Sequence, residues 1–210
     1  MSGILENLSQ KISSQVESSD QNVLMYGMVS LFGFIAGYSV LAALSYMMNI
    51  FACTMTAAVW SSVLRVFTGG SHATSPFRCI ITGTAVFLAL GKGAQYLSSP
   101  DWAGLYSIIP GTVGLGGILI IYKYGYATTH NKSLGSYGHG RKLRSAAIAI
   151  MAAWLAAVYG MVITGPLNAG ERVFIVASVL GVAWQLFSMT PAGYRVSNAA
   201  DVLLQRVGVR

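Results

Sequence analysis

Hydrophobic and polar positions along this chain are arranged in long blocks rather than in residue-by-residue alternation. Apolar stretches of about 20 residues are separated by short polar segments, which is typical of helices that cross a lipid bilayer. The apolar blocks fall between residues 23 and 192, and we predict a transmembrane helical bundle over that range. The expected fold class is therefore all-α: a polytopic integral membrane helix bundle of five to six transmembrane helices.

The number of spans depends on residues 21–64, which contain no charged side chain. A helix of that length would be about twice as long as the ~30 Å hydrocarbon core of a bilayer is thick. The segment is therefore either two spans joined by a tight turn near residues 46–49, or one span followed by a helix along the surface. Two spans are favoured because no charge occurs before Arg65. The two interpretations place the N-terminus on opposite sides of the membrane.

Each end of the chain has the pattern of a short amphipathic helix at the membrane interface. In the N-terminal amphipathic segment, residues 1–22, an apolar side chain recurs every fourth position, at Ile4, Leu8, Ile12 and Val16. In the C-terminal amphipathic helix, residues 193–210, Ala200, Leu203 and Val207 share one face.

The distribution of charged residues predicts how the bundle is oriented in the membrane. Only 9% of the residues are charged, against about a quarter in a soluble domain. Residues 123–144 form a basic hinge loop that carries five of the thirteen Lys and Arg and no acidic residue. Every other basic cluster falls on the same side, which predicts that this side faces the matrix or cytoplasm. The net charge of +7 thus follows from topology, and no nucleic acid is expected as a partner.

The basic hinge loop is also predicted to bind the headgroups of anionic phospholipids such as cardiolipin. The candidate headgroup-binding residues are Lys123, Lys132, Arg141, Lys142 and Arg144.

Small residues at helical spacing predict close helix packing. The candidates are Gly33, Gly37, Gly114, Gly117, Ala149, Ala153 and Ala157. These faces exceed what one bundle of this size needs, which favours helices of partner subunits as the remaining contacts. Lys92 is the one charge well inside a span, and a lysine reaching the headgroups is favoured over a pair with Asp101 or Glu171, or a pore role.

Catalytic chemistry is not expected from the sequence. Cys53 and Cys79 form no CxxC pair, so neither a disulfide framework nor a zinc site is predicted. The three histidines, His72, His130 and His139, fall in loops rather than on facing helices, which argues against haem and metal. With six acidic residues and no recognisable catalytic motif, we predict a non-enzyme without catalytic, metal or cofactor-binding residues.

Together these features favour a non-catalytic accessory subunit of a large multisubunit membrane complex, of the respiratory-chain or ATP synthase type. Its expected partners are other membrane subunits and anionic phospholipids. The mitochondrial inner membrane is the favoured location, with the bacterial inner membrane as the alternative. The alternative function is a small homo-oligomeric channel or transporter, with Lys92 and a helix broken at Pro110 near its pathway. An enzyme ranks third.

Overall fold

The computed structural model describes residues 21–71, 73–102, 104–125 and 137–209, and every regular element within them is helical. The α-helices are α1 (Gln21–Met47), α2 (Phe51–Thr68), α3 (Pro76–Leu97), α4 (Leu105–Tyr124), α5 (Tyr137–Ile163), α6 (Ala169–Ser188) and α7 (Pro191–Arg206). A short 3-10 helix, Pro100–Trp102, lies between α3 and α4. Residues 1–20 of the predicted N-terminal amphipathic segment lie outside the described residues.

Six of these helices, α1 to α6, are long and apolar enough to cross a membrane. The predicted all-α polytopic membrane bundle is therefore confirmed. The charge-free stretch forms two helices, as the two-span interpretation requires, and the turn between them includes Asn49. Its φ of 55° reverses the chain direction at a residue type that tolerates the left-handed region.

Helix α6 is the centre of the bundle and packs against α2, α3 and α4. Half of its span is buried inside the protein, whereas α1 lies at the edge with only 6% of its span buried. Aromatic rings join three helices in the core: Trp60 of α2 lies 6.5 Å from Trp154 of α5 and meets Phe174 of α6 edge-on at 6.2 Å between ring centroids. The indole N–H of Trp154 donates a hydrogen bond to Ser178, which satisfies the polar atom inside the core.

The absence of a side chain at Gly181 brings α6 against α2. A Cβ atom at this position would overlap the backbone carbonyl group of Ala57. Gly91 allows the same close approach between α3 and α2, because a Cβ there would overlap Thr54. Small residues thus determine which helices are neighbours in the core.

Local sequence signals account for the starts of α3 and α7. Pro76 and Pro191 each occupy the first helical turn after a residue in extended conformation, Ser75 and Thr190 respectively. Helix α4 runs unbroken through Pro110, which corrects the predicted interruption there. Proline in the second turn of a helix removes few hydrogen bonds, and this one is buried against neighbouring helices.

Candidate functional site

The loop between α2 and α3, residues 69–75, lies at the same end of the bundle as the end of α4 and the start of α5. Helix α2 ends when Gly69, with φ of 72°, donates its N–H to the carbonyl of Arg65 at 2.9 Å. The guanidinium of Arg65 then turns back and donates to the carbonyl of Ser71. This end of α2 is therefore tied to the loop that follows it.

Helix α6 supplies a second set of contacts to this loop through Gln185, whose side chain is fully buried. Its Nε2 donates to the Thr68 hydroxyl at 3.0 Å and to the Gly69 carbonyl at 2.6 Å. One turn later, the carbonyl of Ser188 accepts a long hydrogen bond of 3.4 Å from the Ser71 N–H. A buried glutamine whose amide donates a hydrogen bond to the loop backbone restricts that backbone to one position.

The C-terminal helix α7 closes the loop from the other side. Ser197 and Ser71 share a hydrogen bond of 2.7 Å between their hydroxyls. Asp201 accepts from the Thr74 hydroxyl at 2.7 Å and from the Thr74 N–H at 3.3 Å. Its other carboxylate oxygen lies 3.1 Å from Nε of Arg78, in ion-pair contact without an aligned hydrogen bond.

The electrostatics of Asp201 follow from these donors. The Thr74 hydroxyl, helped by the Thr74 N–H and by the positive charge of Arg78, holds the pKa of the Asp201 carboxyl below its usual value. The side chains of Arg78 and Asp201 are only 10% and 9% exposed. The carboxylate therefore stays ionised and fixed between the loop and the first turn of α3.

Cys79 follows Arg78 in that first turn and is the nucleophilic side chain nearest to this polar cluster in sequence. Its N–H donates to the Ser75 carbonyl at 3.0 Å, and its side chain is half-buried. The preceding residue is Arg78, so the thiol lies at a helix N-terminus and next to a cationic residue in sequence. Helix N-termini with cationic residues nearby are environments in which cysteines act as nucleophiles.

The second cysteine, Cys53, differs from Cys79 in its position and its exposure. Cys53 lies in the first turn of α2, at the opposite end of the bundle, and is 6% exposed within the apolar core. A thiol enclosed by apolar side chains behaves as a small hydrophobic residue. His72 falls in the 69–75 loop by sequence but lies outside the described residues.

Several predicted headgroup-binding residues do lie at this end. Lys123 stacks over the ring of Tyr124, and Arg144 lies over Tyr122 and donates to the carbonyl of Gly125 at 3.3 Å. Arg141 and Lys142 are exposed at the start of α5. Lys132 lies outside the described residues.

The small residues divide into packed and exposed sets. Gly37 faces Ile80 and Gly33 lies at the edge of the same α1–α3 contact, while Gly114 and Gly117 are covered by side chains of α5 and α6. On α5, the stripe of Ala149, Ala153 and Ala157 is exposed. That helix packs instead through its other face, with Ala147, Met151, Trp154 and Val158 buried.

Lys92 lies at the opposite end of the bundle, where it is exposed. Its ammonium donates to the side chain of Gln95 at 2.9 Å, and Gln95 in turn donates to the Asn49 carbonyl at 3.3 Å. Its hydrogen-bond partner is therefore this glutamine, and not Asp101 or Glu171, the carboxylates considered from sequence.

Sequence reasoning missed the polar cluster because its members are far apart in the chain. Gln185 and Asp201 lie more than a hundred positions after the loop that they contact. A local signal was nevertheless present: residues 65–79 contain a histidine, a cysteine and two arginines within one short stretch. A cysteine and a histidine in one short polar connection are candidates for a nucleophile and its base, even without a CxxC pair.

Comparison with known proteins identifies the family. The model of the AgrB family, accessory gene regulator B, matches residues 5–189. An AgrB-like protein of Clostridium perfringens strain SM101 is 20% identical over 208 residues, covering 94% of this chain and 97% of the relative. AgrB-like protein 2 of Clostridium perfringens strain 13 is 21% identical over 209 residues, with the same coverage. No solved structure matches.

These matches overturn the predicted function. Proteins of this family are membrane cysteine peptidases that process the AgrD peptide in quorum sensing. The predictions of a non-enzyme and of a respiratory-chain or ATP synthase accessory subunit are therefore wrong, as are the expected partner subunits and cardiolipin in a mitochondrial inner membrane. The alternative of a channel or transporter has no support from the family either. The protein is an integral membrane protein, and its chain belongs to the AgrB family.

Proposed function

We propose that this protein is a membrane cysteine peptidase that cleaves a peptide of the AgrD class, with Cys79 as nucleophile and His72 as general base. The observation that carries the proposal is the place of Cys79. It lies in the first turn of α3, half-buried, next to a loop that three helices hold in position.

The choice of nucleophile rests on the contrast between the two cysteines. A thiolate is costly inside hydrocarbon, so a catalytic cysteine of a membrane protein belongs at the boundary with water. Cys79 meets this condition, because it is half-buried in the first turn of α3, next to the polar 69–75 loop. Cys53 is enclosed by the apolar core and is only 6% exposed.

The choice of base rests on sequence position. His72 precedes Cys79 by seven residues, within the same short connection between α2 and α3. The remaining histidines, His130 and His139, belong to the connection between α4 and α5. Histidine is the side chain whose proton affinity suits a base at neutral pH.

The chemistry follows from these two groups. His72 takes the thiol proton, and the Cys79 sulfur attacks the carbonyl carbon of the scissile peptide bond. As the tetrahedral intermediate collapses, the carbon–nitrogen bond breaks and the imidazolium returns the proton to the leaving amine. A thioester remains on Cys79 until a second nucleophile, such as water, releases the acyl group.

The same proposal specifies the side of the membrane on which the peptide is cut. Lys123, Arg141, Lys142 and Arg144 belong to the same end of the bundle as the 69–75 loop. Basic loops remain on the inner side of a membrane. The site therefore faces the cytoplasm of a bacterial inner membrane, and the substrate approaches from inside the cell.

The test uses the full chain in membrane vesicles, together with an AgrD-type peptide. Cys79→Ala should lower the cleavage rate by about 10³-fold or more, because the nucleophile is removed. Cys53→Ala is the matched control and should cleave like the wild type. Iodoacetamide should also alkylate Cys79 faster than Cys53, as read by mass spectrometry. Cleavage by Cys79→Ala at the wild-type rate would overturn the proposal.

A further inference from the structure

The contact between α7 and the start of α3 joins segments that are more than a hundred residues apart in the chain. Asp201 of α7 is bonded to both the hydroxyl and the backbone N–H of Thr74, which precedes the N-cap residue of α3. It also pairs with Arg78, the residue immediately before Cys79. The Asp201 carboxylate thus contacts the chain at two points: Thr74, five residues before Cys79, and Arg78, the residue next to it.

This arrangement is not accounted for by stability alone. Aspartate and arginine are rarely buried, and replacing a buried ion pair by apolar residues often leaves stability unchanged or higher. A buried pair that also bonds loop backbone instead restricts the loop to one conformation. Here the restricted segment is the first turn of α3 and the residues leading into it.

The family comparison does not assign this contact. The matched region ends at residue 189, whereas α7 begins at Pro191. The carboxylate that fixes the 69–75 loop therefore comes from a helix beyond the region by which the family is recognised.

We propose that Asp201 is a positioning residue for Cys79, through which the C-terminal helix α7 holds the thiol and the 69–75 loop in the geometry needed for peptide cleavage. This inference rests on the proposed peptidase function. Asp201 acts through Thr74 and Arg78 and does not itself touch the reacting atoms. Misplacing a nucleophile by about 1 Å can cost on the order of 10²-fold in rate.

The experiment measures peptide cleavage by the full chain in vesicles at several peptide concentrations. Asp201→Asn should lower kcat by about 10- to 100-fold with KM changed less than about twofold, because the thiol is displaced while the peptide contacts remain. Asp201→Glu, which keeps the charge, should recover part of the loss. Asp101→Asn is the matched control at the opposite end, where Asp101 bonds only Ser99 among the described residues, and it should cleave like the wild type.

A double-mutant cycle tests the route through Arg78. If the two residues act as one unit, Arg78→Gln combined with Asp201→Asn should lower kcat no further than the stronger single variant. Thr74→Val keeps the ion pair and the Thr74 N–H bond to Asp201. It removes the two hydrogen bonds of the hydroxyl, one donated to Asp201 and one accepted from Arg78, so it provides a milder variant if Asp201→Asn fails to accumulate in the membrane. It should lower kcat in the same direction but less.

The outcomes separate this inference from the proposed function. If Cys79→Ala still cleaves the peptide, the peptidase assignment fails. If Cys79→Ala is inactive but Asp201→Asn and Thr74→Val both keep the wild-type kcat, the assignment holds and the positioning role is wrong. A loss confined to KM, or no recovery with Asp201→Glu, would also overturn the positioning role.

Discussion

The buried amide of Gln185 offers the sharpest test of how the 69–75 loop is held. Gln185→Met keeps an unbranched side chain of similar length and removes every hydrogen bond that the amide makes. Thr68 and Ser188 lose little, because the Thr68 hydroxyl still donates to the Leu64 carbonyl at 2.8 Å and the Ser188 hydroxyl still donates to the backbone carbonyl of residue 185 at 2.8 Å. The Gly69 carbonyl loses its strong donor. The Thr68 hydroxyl lies 3.3 Å away, but its single proton is already donated to the Leu64 carbonyl at the shorter distance.

The expected magnitude follows from this accounting. Leaving a buried acceptor without a good donor costs about 1–3 kcal/mol, and the partial exposure of the Gly69 carbonyl places this site near the middle, at about 2 kcal/mol. A free-energy change of that size makes detachment of the loop roughly 30-fold more frequent. Peptide cleavage should fall by less than this factor, because the rate depends on the fraction of molecules with the loop in place.

Hydrogen exchange read by mass spectrometry in nanodiscs measures the detachment directly. The Ser71 N–H, which donates to Ser188, should exchange about 30-fold faster in Gln185→Met than in the wild type. Gln95→Met is the matched control, since Gln95 is exposed at the opposite end of the bundle. Exchange at Ser71 within about twofold of the wild-type rate would refute the argument that Gln185 holds the loop.

Two further predictions concern packing and pH. Gly181→Ala should destabilise the bundle by about 1–3 kcal/mol or more in thermal unfolding, because its Cβ would overlap the backbone of α2. Gly83→Ala is the control: its Cβ would meet no atom within 4 Å, so this variant should be neutral or slightly stabilising. Because the folded pKa of Asp201 lies below its ordinary value of 3.8, the stability that it contributes is present above pH 3.8 and is lost as the pH falls through the folded pKa. After correction for intrinsic exchange rates, protection of the Thr74 N–H should be constant from neutral pH down to about 5 and fall below that, while Asp201→Asn should already show the lower protection at neutral pH.

The fold could be predicted because hydrophobic length and charge placement are local properties of the sequence. The charge-free stretch of residues 21–64 is too long for one span, and the structure divides it at Asn49 as the two-span interpretation requires. The sequence did not show in the same way which of the small residues lie at helix–helix contacts. The α5 stripe that contains Ala153 has the spacing of a packing face, yet Trp154 and Val158 turn the opposite face inward because large side chains fill the core.

The candidate site was missed for a chemical reason as well as a topological one. The expectation of a non-enzyme rested on the small number of carboxylates and on cysteines judged only as pairs. A cysteine nucleophile with a histidine base needs neither a second cysteine nor a catalytic carboxylate. The relevant signal was the proximity of His72 and Cys79 in sequence, within a polar stretch that leads into an apolar span.

The number of spans predicts the side of the membrane on which each residue of the candidate site lies. Helix packing then determines which of these residues are in contact. With six spans, α2 ends, α3 begins and α6 ends at the same face, so the 69–75 loop, Cys79 and Gln185 must share it. The close approach of α6 to α2 at Gly181 then brings Gln185 against the loop. The short connection after α6 starts α7 at that same face, and Asp201 reaches Thr74 from there. A bulky residue at position 181 should therefore weaken peptide cleavage as well as the fold, although the glycine lies within a span and touches no part of the loop.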